Sequence, residues 1–246
     1  MRRGAWLLVL LGLAACATPP RRPAPLLPPE VQGVIDELET RWRHFGDLRG
    51  IVELTLERRE RSQRFIGPLL LKAPAALRFE ALSPLGQPLL IVAMDGDTFT
   101  LYSLLEHRAL VGPATERAMG RWLDFPLPPT TVVALLAGYV LPLPEIDVGV
   151  LVPEGEQLRL DLRQEGGFVQ RIWFDPLERR ARRAEWEGQG TRLEAIVGTD
   201  HRVTLKVPDQ GTSLSLRYQE RALDVGLPLE RFRVTLPEGA SVTRLP

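Results

Sequence analysis

Most of this chain consists of short segments in which apolar and polar residues alternate, and this pattern constrains the fold more than any other feature. Leu77, Phe79 and Ala81, for example, are separated by Arg78 and Glu80. A period of two indicates a β-strand with one buried face. Similar segments recur along the chain and predict about 10–11 antiparallel strands, the last one through residues 232–236. Their apolar faces require a shared core.

The turn between two of these strands carries an unusual residue. Ser83, Pro84, Leu85 and Gly86 match a type I turn, with Ser at the first position, Pro at the second and Gly at the fourth. Leu85 therefore places a large apolar side chain at the tip, where little of the protein can pack against it. Because single exposed leucines are common, two interpretations remain open. Leu85 is either an ordinary surface residue or a side chain that faces something other than water.

Three stretches have the spacing of helices. They are predicted at Pro29 to Phe45, Thr115 to Leu123 and Thr130 to Ala137, the last two each beginning at a threonine cap. The third is apolar on nearly all sides, so we expect it to be buried. The predicted fold is mainly β with a few helices (α+β), an unclosed antiparallel β-barrel wrapped around plug helices. A two-sheet sandwich is the alternative, but it leaves the third helix without a place.

The N-terminus has the pattern of an export signal. Arg2 and Arg3 precede an apolar run that is too short to span a membrane. The run ends in Leu-Ala-Ala before Cys16, which resembles the lipobox of bacterial lipoproteins. That resemblance implies cleavage before Cys16, acylation of its sulfur and new amine, and sorting to the outer membrane, since Ala17 follows. An incidental cysteine is the alternative. The predicted organisation is a signal peptide at 1–15, a lipidated, proline-rich tether at 16–29 and one folded domain at 30–246.

Composition and motifs argue against several functions. The chain has 31 basic and 31 acidic residues, so no net charge favours nucleic acid. A single cysteine excludes an internal disulfide. His44, His107 and His201 are scattered, without the spacing of a metal-binding or catalytic motif. We therefore expect no enzymatic activity, no metal and no cofactor.

Four features together resemble the LolB outer-membrane lipoprotein receptors and, more loosely, the LolA/LolB-like superfamily. They are the lipobox at Cys16, the strand-turn-strand around residues 83–86, a short helix with Trp122, and Phe125-Pro-Leu-Pro leading into residues 132–138. The resemblance covers about residues 49–138. It implies an apolar cavity for acyl chains inside the barrel. It also implies that a protruding leucine, which Leu85 matches, is needed to deliver lipoproteins into the membrane.

These expectations define two groups of site residues. The membrane-insertion loop would be Ser83, Pro84, Leu85 and Gly86. The lining of the acyl cavity would comprise inward-facing strand residues together with the apolar third helix. The predicted lining residues are Leu54, Leu56, Leu69, Leu71, Phe79, Val132, Leu135, Leu136, Leu160, Val203 and Leu205.

The function predicted from the resemblance is binding and transfer of lipid. A monomer anchored to the outer membrane and facing the periplasm would accept lipoprotein acyl chains from a LolA-like carrier and release them into the bilayer. A structural envelope lipoprotein of the same fold, holding another lipid or a protein partner, is the alternative. The arginine-rich run from Arg179 to Arg183 fits a solvated hairpin shoulder better than a docking patch for a partner or for lipid headgroups, because Glu178 and Glu185 dilute its charge.

Overall fold

A computed structural model describes residues 27–59, 61–123, 126–175, 177–178 and 180–245. The predictions for the signal peptide, Cys16, most of the tether, Phe125 and Arg179 lie outside the described residues, and so does the side chain of Trp122. The described chain forms three α-helices, α1 (Pro29–Arg43), α2 (Glu116–Leu123) and α3 (Pro129–Ala137).

Fourteen strands are present in the same residues. They are β1 (Asp47–Arg58), β2 (Arg61–Lys72), β3 (Ala76–Leu82), β4 (Pro88–Asp95), β5 (Thr98–Ser103), β6 (Arg108–Pro113), β7 (Val148–Glu154), β8 (Gln157–Arg163), β9 (Val169–Phe174), β10 (Ala181–Gly188), β11 (Thr191–Val197), β12 (Arg202–Val207), β13 (Thr212–Leu223) and β14 (Ser241–Arg244).

All described strands belong to one sheet, in the order β14-β6-β5-β4-β3-β2-β1-β13-β12-β11-β10-β9-β8-β7. Neighbours are antiparallel except for β14, which pairs parallel with β6. The long strand β1 joins the two halves, because it pairs along its length with β2 on one side and β13 on the other. β7 and β14 form the two edges, so the sheet is unclosed. The predicted fold class is confirmed, and a sandwich of two sheets is excluded.

Helix α3 lies in the core that the sheet encloses. Every residue from Thr131 to Ala137 is buried, and inward-facing side chains from both halves of the sheet pack in the same apolar cluster as this helix. The helix ends at Gly138, whose φ of 90° is a conformation that favours glycine. The expected burial of this apolar segment is thereby confirmed.

Helix α1 packs one face against the same core. Its buried residues are spaced at helical intervals, namely Val31, Ile35, Leu38 and Trp42. Trp42 stacks on Phe45 at a ring-centroid distance of 5.0 Å and meets Tyr139 edge-on at 5.7 Å. Strand β7 comes close to the helix at Gly149, where a Cβ atom would lie only 2.6 Å from Cγ1 of Val31.

The predicted last strand, at residues 232–236, is wrong. Residues 229–232 form a short 3-10 helix, and Phe232 is buried on the outer face of the sheet against Leu70, Ala76 and Leu227. Among the described residues, the backbone around Phe232 is bound by an arginine side chain and is not paired with a strand. The guanidinium of Arg78 donates to the carbonyl oxygens of Arg231 and Arg233. An amphipathic alternation thus identified a buried segment but not its conformation. We refer to residues 224–240 as the C-terminal segment.

Other details also differ from the sequence-based expectations. Fourteen strands are present in the described residues against about 10–11 predicted; β7 and β14 are among those that the sequence did not predict, and β14 is only four residues long and exposed. The cap expected at Thr130 is wrong, since α3 begins at Pro129 and the preceding Pro128 makes no side-chain cap. Proline suits this first position because its φ is already helical and its missing N–H would be unpaired there. Thr115 does cap α2, because its Oγ1 accepts the N–H of Ala118 at 3.3 Å.

Candidate functional site

The β3–β4 turn holds Leu85 away from the protein in a constrained loop. The N–H of Gly86 donates to the carbonyl of Ser83 at 2.9 Å, and the N–H of Ser83 donates to the carbonyl of Gln87 at 2.7 Å. The hydroxyl of Ser83 also accepts the N–H groups of Leu85 and Gln87. Pro84 restricts one further dihedral angle. The side chain of Leu85, 88% exposed, is therefore presented to the surroundings by an ordered backbone.

A second exposed leucine lies on the neighbouring turn, which sequence analysis did not single out. Leu105 is 73% exposed in the β5–β6 turn. Since β4 and β5 are adjacent antiparallel strands, this turn connects strand ends on the same side of the sheet as the β3–β4 turn. The N–H of Leu104 donates to the carbonyl of Leu89. The same signal, a large apolar residue in a turn, would have identified it. The β3–β4 and β5–β6 turns therefore expose two leucines, Leu85 and Leu105, to solvent at the same strand ends.

The predicted cavity-lining residues all face the interior of the sheet. Nine are buried, and Leu54 and Leu56 are half-buried. The nine buried residues belong to the apolar cluster around α3, and Leu54 packs against it. Of these eleven residues, only Val203 also lines the pocket between α1, α3 and the β11–β12 turn. The structure thus brings these residues together in a packed core. That this core opens to admit an acyl chain stays a prediction.

A pocket with a volume of about 890 Å³ was not predicted. It lies between the C-terminal ends of α1 and α3, the β9–β10 loop, the β11–β12 turn and the end of β13. In the antiparallel sheet, the β11–β12 turn connects the strand ends opposite to those connected by the β3–β4 turn. We call this site the basic pocket, because five arginines and one glutamate line it: Arg41, Arg180, Arg182, Arg202, Arg221 and Glu178.

The structure divides the arginine-rich run that the sequence indicated. Arg180 and Arg182 line the basic pocket, whereas Arg183 stacks over the ring of Trp173 at 4.5 Å and contacts Glu185 and Glu194. Arg182 and Arg183 are consecutive in β10, at an irregularity in its pairing with β9 between Ala181 and Arg183, and their side chains have different surroundings. The predicted solvated shoulder therefore describes only part of the run.

The floor of the basic pocket is built around Tyr218. Its hydroxyl donates to the carbonyl of Leu136 in the last turn of α3 at 2.8 Å. Burial raises the pKa of this phenol, and nearby Arg221 opposes the shift only partly. Tyr218 is therefore neutral at physiological pH and contributes no negative charge to the pocket.

No group of three or more His, Cys, Asp or Glu side chains among the described residues is arranged to hold a metal ion. None of the described helices is both long enough and apolar enough to cross a membrane.

The same fold occurs in solved bacterial structures. One is a structure from Vibrio parahaemolyticus that is titled an outer membrane lipoprotein-sorting protein domain. It is 14% identical, with a TM-score of 0.55, and the match covers 81% of this chain and 94% of that one. A DUF1329 family protein from Desulfovibrio piger is 13% identical, with a TM-score of 0.55 and coverage of 82% and 97%. A LolA superfamily protein from Nitrosomonas europaea is 10% identical, with a TM-score of 0.55 and coverage of 83% and 97%.

No protein-family model and no curated protein matches the sequence. At identities of 10 to 14%, the structural likeness shows a LolA-type fold and does not single out LolB. The fold expected from the resemblance is therefore confirmed, while ligand and cellular role are matters for proposal.

Proposed function

We propose that this protein is a LolB-like receptor, an outer-membrane lipoprotein that binds the acyl chains of other lipoproteins and helps insert them into the outer membrane. Acyl groups on Cys16 would anchor it, with the folded domain facing the periplasm and receiving cargo from a LolA-like carrier. No covalent chemistry is involved. Transfer would run toward the environment in which the apolar chains are held most favourably, which is the bilayer.

The observation that carries this proposal is the presentation of Leu85. The hydrogen bonds of the β3–β4 turn hold its backbone, and its side chain is almost entirely exposed. Burying a leucine contributes roughly 1.5–3 kcal/mol, which can orient the domain at a bilayer but cannot anchor it. Acyl chains on Cys16, at about 0.8 kcal/mol per buried CH₂, would supply the anchor. Leu85 should therefore matter for delivery and not for attachment.

Leu85→Glu tests this division of roles. Carrier-bound lipoprotein is mixed with the variant and with liposomes, and cargo is counted separately on the carrier, on the receptor and in the liposomes. We expect cargo to leave the carrier as it does with the wild type, and delivery to liposomes to be lost. Expression, melting temperature and membrane attachment should stay at the wild-type level, because an exposed side chain contributes little to stability.

Leu177→Glu provides the matched control. Leu177 is 93% exposed in the β9–β10 loop, which connects the strand ends opposite to those of the β3–β4 turn, so this variant should deliver normally. Leu105→Glu, in a turn at the same strand ends as Leu85, should lower delivery in part. Normal delivery by Leu85→Glu, or an equal loss with Leu177→Glu, would contradict the receptor proposal.

A structural envelope lipoprotein of the same fold is the second candidate. It is favoured by the packing of the interior, since ten of the eleven predicted lining residues do not border the basic pocket and nine of the eleven are buried. Such a protein would hold a fixed lipid or protein partner. It would remove no cargo from a carrier in the assay above, and this result would favour it over the receptor.

A further inference from the structure

We propose that the basic pocket binds an anionic amphiphile, with an apolar chain on the pocket floor and a phosphate or carboxylate headgroup at the arginine rim. This ligand differs from the cargo proposed above. Lipoprotein acyl chains are joined to their cysteine through uncharged ester, amide and thioether groups, which carry no negative charge for arginines to pair with. The inference therefore does not rest on the receptor function.

Two arginines are held in place at the rim by the β9–β10 loop. The guanidinium of Arg41 donates to the carbonyl of Glu178 at 3.0 Å, and the guanidinium of Arg182 donates to the carboxylate of Glu178 at 2.6 Å. Arg41 is also paired with Glu37 on α1 at 2.9 Å. Glu178 thus links arginines from α1 and β10, which are far apart in the sequence, across the mouth of one pocket.

Two further arginines line the rim, Arg180 and Arg221. Among the described residues, none forms an ion pair with Arg180 or Arg221. Arg202 is paired only loosely with Asp200, at 3.5 Å between half-exposed side chains, a contact that is worth little. Among the described residues around this concave site, positive charge therefore exceeds negative charge, although Glu37 and Glu178 pair with Arg41 and Arg182. Arginine is well suited to bind phosphate or carboxylate in such a place, because its planar donors can contact two oxygens at once.

The floor of the pocket indicates that the anion carries an apolar group. Six of the lining residues belong to the buried apolar core: Leu38, Ala137, Val140, Val197, Val203 and Tyr218. A site for a free inorganic anion would need no such floor. The volume of about 890 Å³ lies within the range of roughly 300–1,000 Å³ typical of sites for small organic ligands. A charged rim above an apolar floor matches the two ends of an amphiphile.

Water-soluble lipids provide the test. The full chain is reconstituted in phosphatidylcholine nanodiscs, and binding is measured by calorimetry against empty nanodiscs. The probes are dihexanoyl-phosphatidylglycerol, dihexanoyl-phosphatidylcholine, glycerol phosphate and octanoate. We expect the phosphatidylglycerol to bind at least about tenfold more tightly than the phosphatidylcholine with the same chains, as one or two charge-assisted contacts would give. Octanoate, compared with the phosphatidylglycerol, decides whether the preferred headgroup is a carboxylate or a phosphate.

Substitutions of the unpaired arginines locate the effect. The double variant Arg180→Gln/Arg221→Gln should bind the anionic and zwitterionic lipids equally, while Arg221→Lys, which keeps the charge, should retain most of the preference. Arg163→Gln is the matched control, because Arg163 is an exposed arginine at the end of β8 that does not line the pocket. Leu85→Glu should bind the probes like the wild type, which separates this site from the delivery function.

Three results would overturn the proposal. Equal binding of both dihexanoyl lipids by the wild type would mean that the arginines recognise no headgroup. Glycerol phosphate binding as tightly as the phosphatidylglycerol would mean that the apolar floor takes no part. A preference that survives the double substitution, in a variant with the wild-type melting temperature, would place the anion elsewhere on the protein.

Discussion

The side chain of Asp47 fixes the C-terminal segment to the sheet, and its removal should measurably destabilise the protein. Asp47 is the first residue of β1 and only 3% exposed. Its two carboxylate oxygens accept the N–H groups of Val225 and Leu227, each at 2.8 Å. Nζ of Lys72 lies 3.7 Å away. Among the described residues, only these two oxygens accept hydrogen bonds from the two N–H groups, and Asp47→Ala deletes both.

The cost can be worked out contact by contact. The N–H of Leu227 is buried, so it loses a hydrogen bond to a charged group, worth about 1.5–3 kcal/mol. The N–H of Val225 is partly exposed and can bind water, so its loss is smaller. The contact with the one-third-exposed Lys72 adds no more than about 1 kcal/mol. We expect the free energy of unfolding to fall by about 3 kcal/mol and Tm by roughly 6–12 °C.

Urea denaturation of the wild type and of Asp47→Ala measures this difference, and hydrogen exchange locates it. Exchange should become faster at Val225 and Leu227, which lose their acceptors, while β12 keeps its protection. Asp97→Ala, an exposed aspartate in the β4–β5 turn, is the control and should change stability by no more than about 0.5 kcal/mol. A loss below about 1 kcal/mol in Asp47→Ala, or unchanged exchange at Leu227, would refute the assignment of Asp47 as the attachment point.

Three further predictions concern the core, the loop and the anchor. Leu135→Ala, at a fully buried position of α3, should cost about 2–5 kcal/mol in urea denaturation; a cost well below 2 kcal/mol would indicate an open interior at this point. The pKa of Asp175 is lowered because its carboxylate accepts the N–H groups of Glu178 and Leu177. This carboxylate therefore stabilises the loop at pH values above its ordinary pKa of 3.8, and the contribution is lost as the pH falls through the lowered value; an NMR titration midpoint at or above 3.8 would contradict this. Cys16→Ser should abolish labelling by a radioactive fatty acid, and a variant that is still labelled would show that the anchor is not on Cys16.

Local pattern was sufficient to predict several elements because their structure follows from adjacent residues. The alternation in β3 and β4 predicts the two strands, and the order Ser-Pro-Leu-Gly between them predicts the turn that displays Leu85. α3 could be predicted to be buried because an apolar helix has no stable surface position. Each of these inferences uses a window of fewer than about twenty residues.

The basic pocket and the C-terminal segment could not be predicted in this way. Arg41, Glu178 and Arg221 come from a helix, a loop and a strand far apart in the sequence, and they meet at one mouth only because of the strand order of the unclosed sheet and the packing of α1 against it. Phe232 was correctly expected to be buried, but the carbonyls on either side of it, those of Arg231 and Arg233, are bound by the side chain of Arg78, about 150 residues earlier. No periodicity encodes a contact between a side chain and a distant backbone.

The sequence by itself determined the fold class, the burial of α3 and the exposure of Leu85, since hydrophobic periodicity and turn chemistry act between near neighbours. The tertiary structure decided which charges meet. Two consecutive arginines in β10 have different surroundings, since Arg182 lines the pocket and Arg183 stacks on Trp173. The position of a charge relative to another charge depends on strand order and register, and these are set by long-range pairing that no short segment contains.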